Sequence, residues 1–253
     1  MPLDFSFSLI IIFFFLISFF YSSVGFGGGS SYLALLSITF ISFYFIRTTA
    51  LLCNLVVVSG SCILYLKEGH LKFKRFLPFV LTSVPLAFFG ASFKLEQNTF
   101  FLILGVVLIF SAFFLVYQTF PKNTLSDNKV YPVYLSYLIG AGIGFLSGIV
   151  GIGGGIFLAP LLNHMKWDKP IVISSLASFF ILLNSFSGLV GLSNSGSLVF
   201  NWPESIFLII SVLAGGQIGV RTSIKFFSQK TIRYFTAILV FIAGCRIFFN
   251  VYF

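Results

Sequence analysis

The sequence predicts an all-α integral membrane protein of two inverted-topology repeats, each a glycine-broken hairpin followed by three transmembrane helices. Three observations predict it. Of the 253 residues 58% are hydrophobic and only 8% charged, too few charges to coat a water-soluble surface. Six apolar runs are each long enough to span a bilayer, which needs about 20 such residues. A glycine cluster also occurs twice, at Gly25-Phe26-Gly27-Gly28-Gly29 and at Gly151-Ile152-Gly153-Gly154-Gly155, 126 residues apart, with similar features after each.

The elements follow in chain order. Residues 5–46 are apolar but broken at the first cluster, and spans are expected near 48–66, 76–93 and 100–117. Residues 118–131 are polar and carry Pro121 and Asn123, which marks a linker. Residues 132–165 are broken at the second cluster, and spans follow near 170–192, 204–220 and 232–253. The expected organisation is a first repeat at 1–120, a linker at 121–131 and a second repeat at 132–253. No Lys/Arg-rich stretch precedes the first apolar run and no cleavage site follows it, so no removable signal peptide is expected. The order of small and polar residues matches between halves. Thr48-Thr49 leading to Asn54 parallels Ser174-Ser175 leading to Asn184, Ser59-Gly60 parallels Ser187-Gly188, and Ser83-Val84 with Gly90 parallels Ser211-Val212 with Gly219.

Charge then orients the chain. If each broken region counts as one crossing, the basic residues divide six against eight and favour neither side. If each is a hairpin, re-entrant or crossing twice, one side receives Lys67, Lys72, Lys74, Arg75, Lys122, Lys129, Lys166, Lys169, Arg221, Lys225, Lys230 and Arg233. The other receives Arg47 and Lys94, with Arg246 inside the last span. Twelve against two is the asymmetry of the positive-inside rule. It predicts inverted halves in the cytoplasmic membrane with both termini outside the cytoplasm. The net charge of +9 is thus a topology signal, not a nucleic-acid patch.

Three consecutive glycines break a helix, and a break in lipid must be enclosed by protein or face a water-filled cavity. Close helix packing alone uses small residues four apart and explains three in a row less well. A helix is expected from Ser30 and another from Ile156, and the first N–H groups of each point back into its glycine loop. Two such N-termini approaching the midplane from opposite sides would suit a small anion. Substrate contacts are expected from Gly25, Gly27, Gly28, Gly29 and Ser30 with Thr49 and Asn54 of the first half, and from Gly151, Gly153, Gly154 and Gly155 with Ser175 and Asn184 of the second. Ser31, Thr48, Ser174 and Ser178 are further hydrogen-bonding groups in the same stretches. Each hydroxyl could equally satisfy a neighbouring carbonyl. Pro160 follows the second cluster where the first half has Ala34, so the two hairpins need not contribute equally.

No carboxylate is expected at mid-membrane. Asp4, Glu68, Glu96, Asp127, Asp168 and Glu204 all fall in loops or at span ends, which disfavours a carboxylate proton relay. His70 and His164 lie near interfaces, His164 just after the short second helix. Arg47 and Arg246 could attract an anion, although a basic group near a helix end snorkels to the interface by default. Cys53, Cys62 and Cys245 lie in apolar runs without metal-ligand spacing and read as buried thiols, so neither metal nor cofactor is expected. An intramembrane enzyme would need a nucleophile with a base, paired carboxylates or a metal cluster in the spans, and the sequence offers none.

The paired GFGGG and GIGGG clusters, the hydroxyl-and-Asn helices after them and the overall length resemble the TauE/SafE sulfite-exporter family over nearly the whole chain. The resemblance implies a multi-pass permease for sulfite, sulfonates such as sulfoacetate or related organic anions, often exported across the cytoplasmic membrane. A passive anion channel and a non-transporting membrane assembly subunit stay open as alternatives. The expected partners are the bilayer and the small anion, with no nucleic acid; a homo-oligomer is compatible with the sequence.

Overall fold

The computed structural model describes residues 5–22, 26–38, 42–119, 131–222 and 229–252. Among these residues the fold is ten α-helices. The first five are α1 (Phe5–Ser22), α2 (Gly29–Ile38), α3 (Phe43–Lys67), α4 (Phe73–Ser92) and α5 (Gln97–Thr119). The second five are α6 (Val133–Val150), α7 (Gly155–Met165), α8 (Pro170–Asn194), α9 (Trp202–Thr222) and α10 (Gln229–Tyr252). Helices are what this composition requires, because a backbone surrounded by lipid must satisfy its polar groups internally. Six helices among the described residues are long and apolar enough to cross a membrane, α3, α4, α5, α6, α8 and α9. Large side chains such as Phe110, Phe113, Leu138 and Phe249 stay exposed on the outside of the bundle, as expected of a lipid-facing surface.

Both glycine-broken regions become a longer helix, a loop and a short helix. At 10 and 11 residues, α2 and α7 reach only about 15 Å each, half the thickness of a hydrocarbon core. Each packs against the helix after it, α2 on α3 and α7 on α8. Most of the 121–131 linker, with Lys122, Asp127 and Lys129, lies outside the described residues, as do Asp4 and Lys225. His164 lies in the last turn of α7 instead of after it, with its ring 5.6 Å from Tyr117.

Small residues set the longest seams. Along α4 and α6, Gly140, Gly144 and Gly148 lie against the backbone of Phe79, Ser83 and Ala87, so these two helices run parallel. Along α1 and α9, Gly215 and Gly219 lie against Phe15 and Phe19, again in parallel. Hydroxyls pin this second seam: Ser18 donates to the Val212 carbonyl at 2.6 Å, Ser211 to Ile11 at 2.7 Å and Ser22 to Gly216 at 3.0 Å. Close backbone approach of this kind is how membrane helices associate where lipid removes the hydrophobic drive.

Several contacts of the first five helices have a counterpart among the second five. The α4–α6 seam corresponds to α9–α1, α4–α8 to α9–α3, and α2–α10 to α7–α5. The remaining large contacts pair a helix with its own counterpart, α3 with α8 and α5 with α10. Both of these pairs are antiparallel. In the first, Leu51 lies against Gly188 while Ser175 at the other end donates to the His70 carbonyl at 3.0 Å. In the second, Gly105 meets Gly244 and Ile247 while Phe113 meets Phe241 at 5.7 Å.

One end of the bundle gathers charge. Asp168, between α7 and α8, is buried and accepts Lys72 at 3.3 Å and Arg75 at shorter range. The Arg75 guanidinium also sits 4.5 Å from the Trp167 ring. Basic segments 67–75 and 166–169 therefore meet at the same end.

Candidate functional site

The centre of the molecule is the crossing of α3 and α8, the two most enclosed spans. Asn54 is the twelfth of 25 residues in α3, and Ile181 holds the same place in α8. Both glycine loops reach this crossing. A Cβ added to Gly27 would lie 2.7 Å from Asn54 Oδ1, one added to Gly29 would lie 2.6 Å from the Ile152 carbonyl oxygen, and one added to Gly153 would lie 3.0 Å from Asn54 Nδ2. Asn54 Nδ2 donates to that Ile152 carbonyl at 2.9 Å, tying the second loop to a helix of the first half. Asn54 is fully buried, and its Oδ1 has no hydrogen-bond partner among the described residues.

The loops share a left-handed glycine at one matching place, although Gly153 is left-handed as well and Gly27 is not. Gly28 has φ +84° and Gly154 has φ +83°, the left-handed region that a Cβ makes costly. These turns reverse the chain so that each short helix begins at the crossing. Ser31 and Tyr32 donate back to the Gly28 carbonyl, and Phe157 and Leu158 to Gly154, so the helical ladder starts there. The N–H groups before them, of Gly29, Ser30, Gly155 and Ile156, have no intrahelical acceptor and carry the positive end of the helix dipole. Neither first turn holds an acidic residue.

The expected site residues divide into three groups. Gly27, Gly28, Gly29, Asn54, Gly153, Gly154 and Gly155 are buried at or beside the crossing. Ser30 and Thr49 are buried as well, Thr49 with a hydroxyl that lacks a partner among the described residues. Gly151 lies further along, where an added Cβ would touch Arg47. Gly25 lies outside the described residues. Ser175 is not at the crossing: its hydroxyl donates to His70 and Val172 carbonyls at the charged end, about 9 Å along α8 from Ile181. Asn184 is buried, and both its amide atoms lack a partner among the described residues. Its pairing with Asn54, however, is corrected by the helix starts. α3 begins at Phe43 and α8 at Pro170, 127 residues later, so Asn54 corresponds to Ile181 and Asn184 lies about one turn beyond.

Sequence reasoning missed Ser185, whose hydroxyl would lie 2.9 Å from a Cβ on Gly153 and has no partner among the described residues. Its spacing from Ile181, four residues on the same helix face, is the signal that finds it once Ile181 is placed opposite the loop. The other hydroxyls are spent locally, Ser31 with Tyr21 at 2.6 Å and Ser178 on the Ser174 carbonyl at 3.0 Å, while Thr48 accepts from the Val199 N–H at 3.3 Å. Arg47, expected to snorkel, is instead buried at 1% exposure. The three cysteines are free thiols, Cys53 and Cys62 buried. What the crossing assembles is a neutral, hydrogen-bonding centre between two helix N-termini, an environment that stabilises negative charge.

Comparison with known proteins agrees with the sequence resemblance. The family model described as Sulfite exporter TauE/SafE matches residues 10–247. The probable membrane transporter protein y4hK of Sinorhizobium fredii is 29% identical over 228 residues, covering 89% of this chain and 92% of that protein. The probable membrane transporter protein YunE of Bacillus subtilis is 27% identical over 271 residues, covering 97% and 98%. The probable membrane transporter protein MJ0441 of Methanocaldococcus jannaschii is 24% identical over 264 residues, covering 96% and 97%. No solved structure matches. With the family match spanning nearly the whole chain and the helices long enough to cross a bilayer, the chain is a multi-pass membrane protein that belongs to the sulfite exporter TauE/SafE family.

Proposed function

We propose that this chain is a permease for small anions, of the class of sulfite, sulfonates such as sulfoacetate or related organic anions. Transport proceeds by alternating access between two inverted repeats, residues 1–120 and 132–253, joined by the 121–131 linker. The observation that carries this reading is the meeting of two glycine loops at Asn54. There two helix N-termini face one buried polar centre, with Asn54 Oδ1 and the Ser185 hydroxyl both unpartnered among the described residues. Anion sites of this kind arise where discontinuous helices from two repeats present their positive ends near the midplane. The antiparallel α3–α8 and α5–α10 pairs are what an inverted relation would produce. The short α2 and α7 favour re-entrant hairpins, each returning to the side it entered. In this arrangement the end bearing Lys72, Arg75 and Asp168 is cytoplasmic and both termini are outside.

The test is uptake of labelled sulfite and sulfoacetate into proteoliposomes, with chloride as control and with and without a pH gradient. Saturable movement of a sulfur oxyanion is the expected result, and the gradient reports proton coupling. Absence of movement for every tested anion would overturn the anion reading.

A further inference from the structure

We propose that Arg47 is the group that receives the anion's negative charge, about two helical turns along α3 from Asn54 at the glycine-loop centre; this rests on the anion reading above and names its charge-bearing residue. Arg47 is the largest of the fully buried side chains, at 1% exposure. A guanidinium keeps its charge wherever it sits, and burying a charge is costly unless it is paired. No carboxylate pairs with it among the described residues, and the buried carboxylate of Asp168 is held by Lys72 and Arg75. What it has instead is neutral. Nη2 donates to the Gly148 carbonyl at 3.1 Å and the Ala91 carbonyl at 3.4 Å, the Phe100 ring lies 5.6 Å away, and Nε has no partner among the described residues.

Those two carbonyls belong to the last turns of α6 and α4. The negative ends of two helix dipoles hold the guanidinium in place without supplying a counter-ion. Its location gives the charge a use. Arg47, Leu51 and Asn54 follow at i, i+4 and i+7, one face of α3. The second glycine loop lies along that face: Gly151 is against the Arg47 stem, and the Ile152 carbonyl is held by Asn54. An oxyanion in this stretch would meet the Nε–H of a charged guanidinium at one end and the polar centre at the other. An N–H of a charged guanidinium makes a short, charge-assisted hydrogen bond to an oxyanion oxygen. The matching position of the second half, by the same 127-residue offset, is Ser174, so the pathway carries this buried cation once.

The experiment compares wild type, Arg47→Gln and Arg47→Lys by the sulfite concentration that half-saturates two readouts. One is proteoliposome uptake, and the other is thermal stabilisation of the purified protein in detergent. Arg47→Gln is expected to raise both half-saturating concentrations by about tenfold or more, with Arg47→Lys intermediate. A purely structural clamp would lower the ligand-free melting midpoint of Arg47→Gln but leave half-saturation unchanged, and that result would overturn the proposal. Should Arg47→Gln not fold, wild type alone still decides: a neutral diamide of sulfoacetate that stabilises it as well as sulfoacetate does excludes a charge-receiving Arg47. Wild type that responds to no anion removes the anion reading itself, whereas an anion response that Arg47→Gln retains at wild-type half-saturation removes only this inference.

Discussion

Replacing Gly154 with alanine tests the glycine loops against a control in the same repeat. Gly154 has φ +83°, and its added Cβ would stand 2.8 Å from Phe180 Cε1 and 3.0 Å from Ile143 Cγ2. The left-handed conformation costs an L-residue about 1–2 kcal/mol. Forcing a methyl group into a packed site costs about 1–3 kcal/mol more. Together these give a loss of about 2–5 kcal/mol, and in a chain of this size each kcal/mol moves a melting midpoint by about 2–4 °C. Gly142, inside α6, has nothing within 4 Å of an added Cβ. There alanine restores helix propensity and should stabilise by about 0.8–1 kcal/mol. The assay is the thermal midpoint of each purified variant in detergent, read beside anion uptake. Gly154→Ala should melt at least about 4 °C lower and lose transport, while Gly142→Ala should melt no lower than wild type and transport normally. Wild-type behaviour of Gly154→Ala, or equal damage at Gly142, would refute the claim that the second loop needs its backbone shape.

Other outcomes follow from the same geometry. Asn54→Leu removes the donor to Ile152 and leaves that carbonyl unsatisfied, a loss of about 1–3 kcal/mol; uptake should fall sharply while membrane insertion persists, as checked by fractionation and flux. Asp168→Asn weakens the charge-assisted bonds from Lys72 and Arg75 that join 67–75 to 166–169, and should lower the melting midpoint, with a smaller difference at high salt because both partners are about half exposed. A cysteine at Lys72, in a background without Cys53, Cys62 and Cys245, should resist membrane-impermeant maleimide on intact cells and react after permeabilisation. Labelling from outside would reject the proposed orientation.

The helix breaks were legible because three glycines in a row cannot continue a helix in lipid, and Gly28 and Gly154 both take the left-handed conformation. The short helices begin at Gly29 and Gly155, one residue before the positions expected. Rotational position was not legible. The register of α8 depends on its start at Pro170, and a shift of three residues moved the equivalent of Asn54 from Asn184 to Ile181 and hid Ser185. Ser175 resembled a site residue because it follows the second cluster much as Thr49 follows the first, yet its hydroxyl is drawn to the His70 carbonyl of the other half. Arg47 was read from its place near a span end. Its burial depends on carbonyls of α4 and α6 that lie 44 and 101 residues away along the chain.

The most direct test of the central claim is counterflow of labelled sulfite into proteoliposomes loaded with unlabelled sulfite, for wild type and Asn54→Leu side by side. A carrier with one anion site between two repeats predicts accelerated, saturable uptake by wild type and little by Asn54→Leu. Uptake that ignores the internal sulfite, or that survives Asn54→Leu unchanged, would contradict alternating access around the α3–α8 crossing.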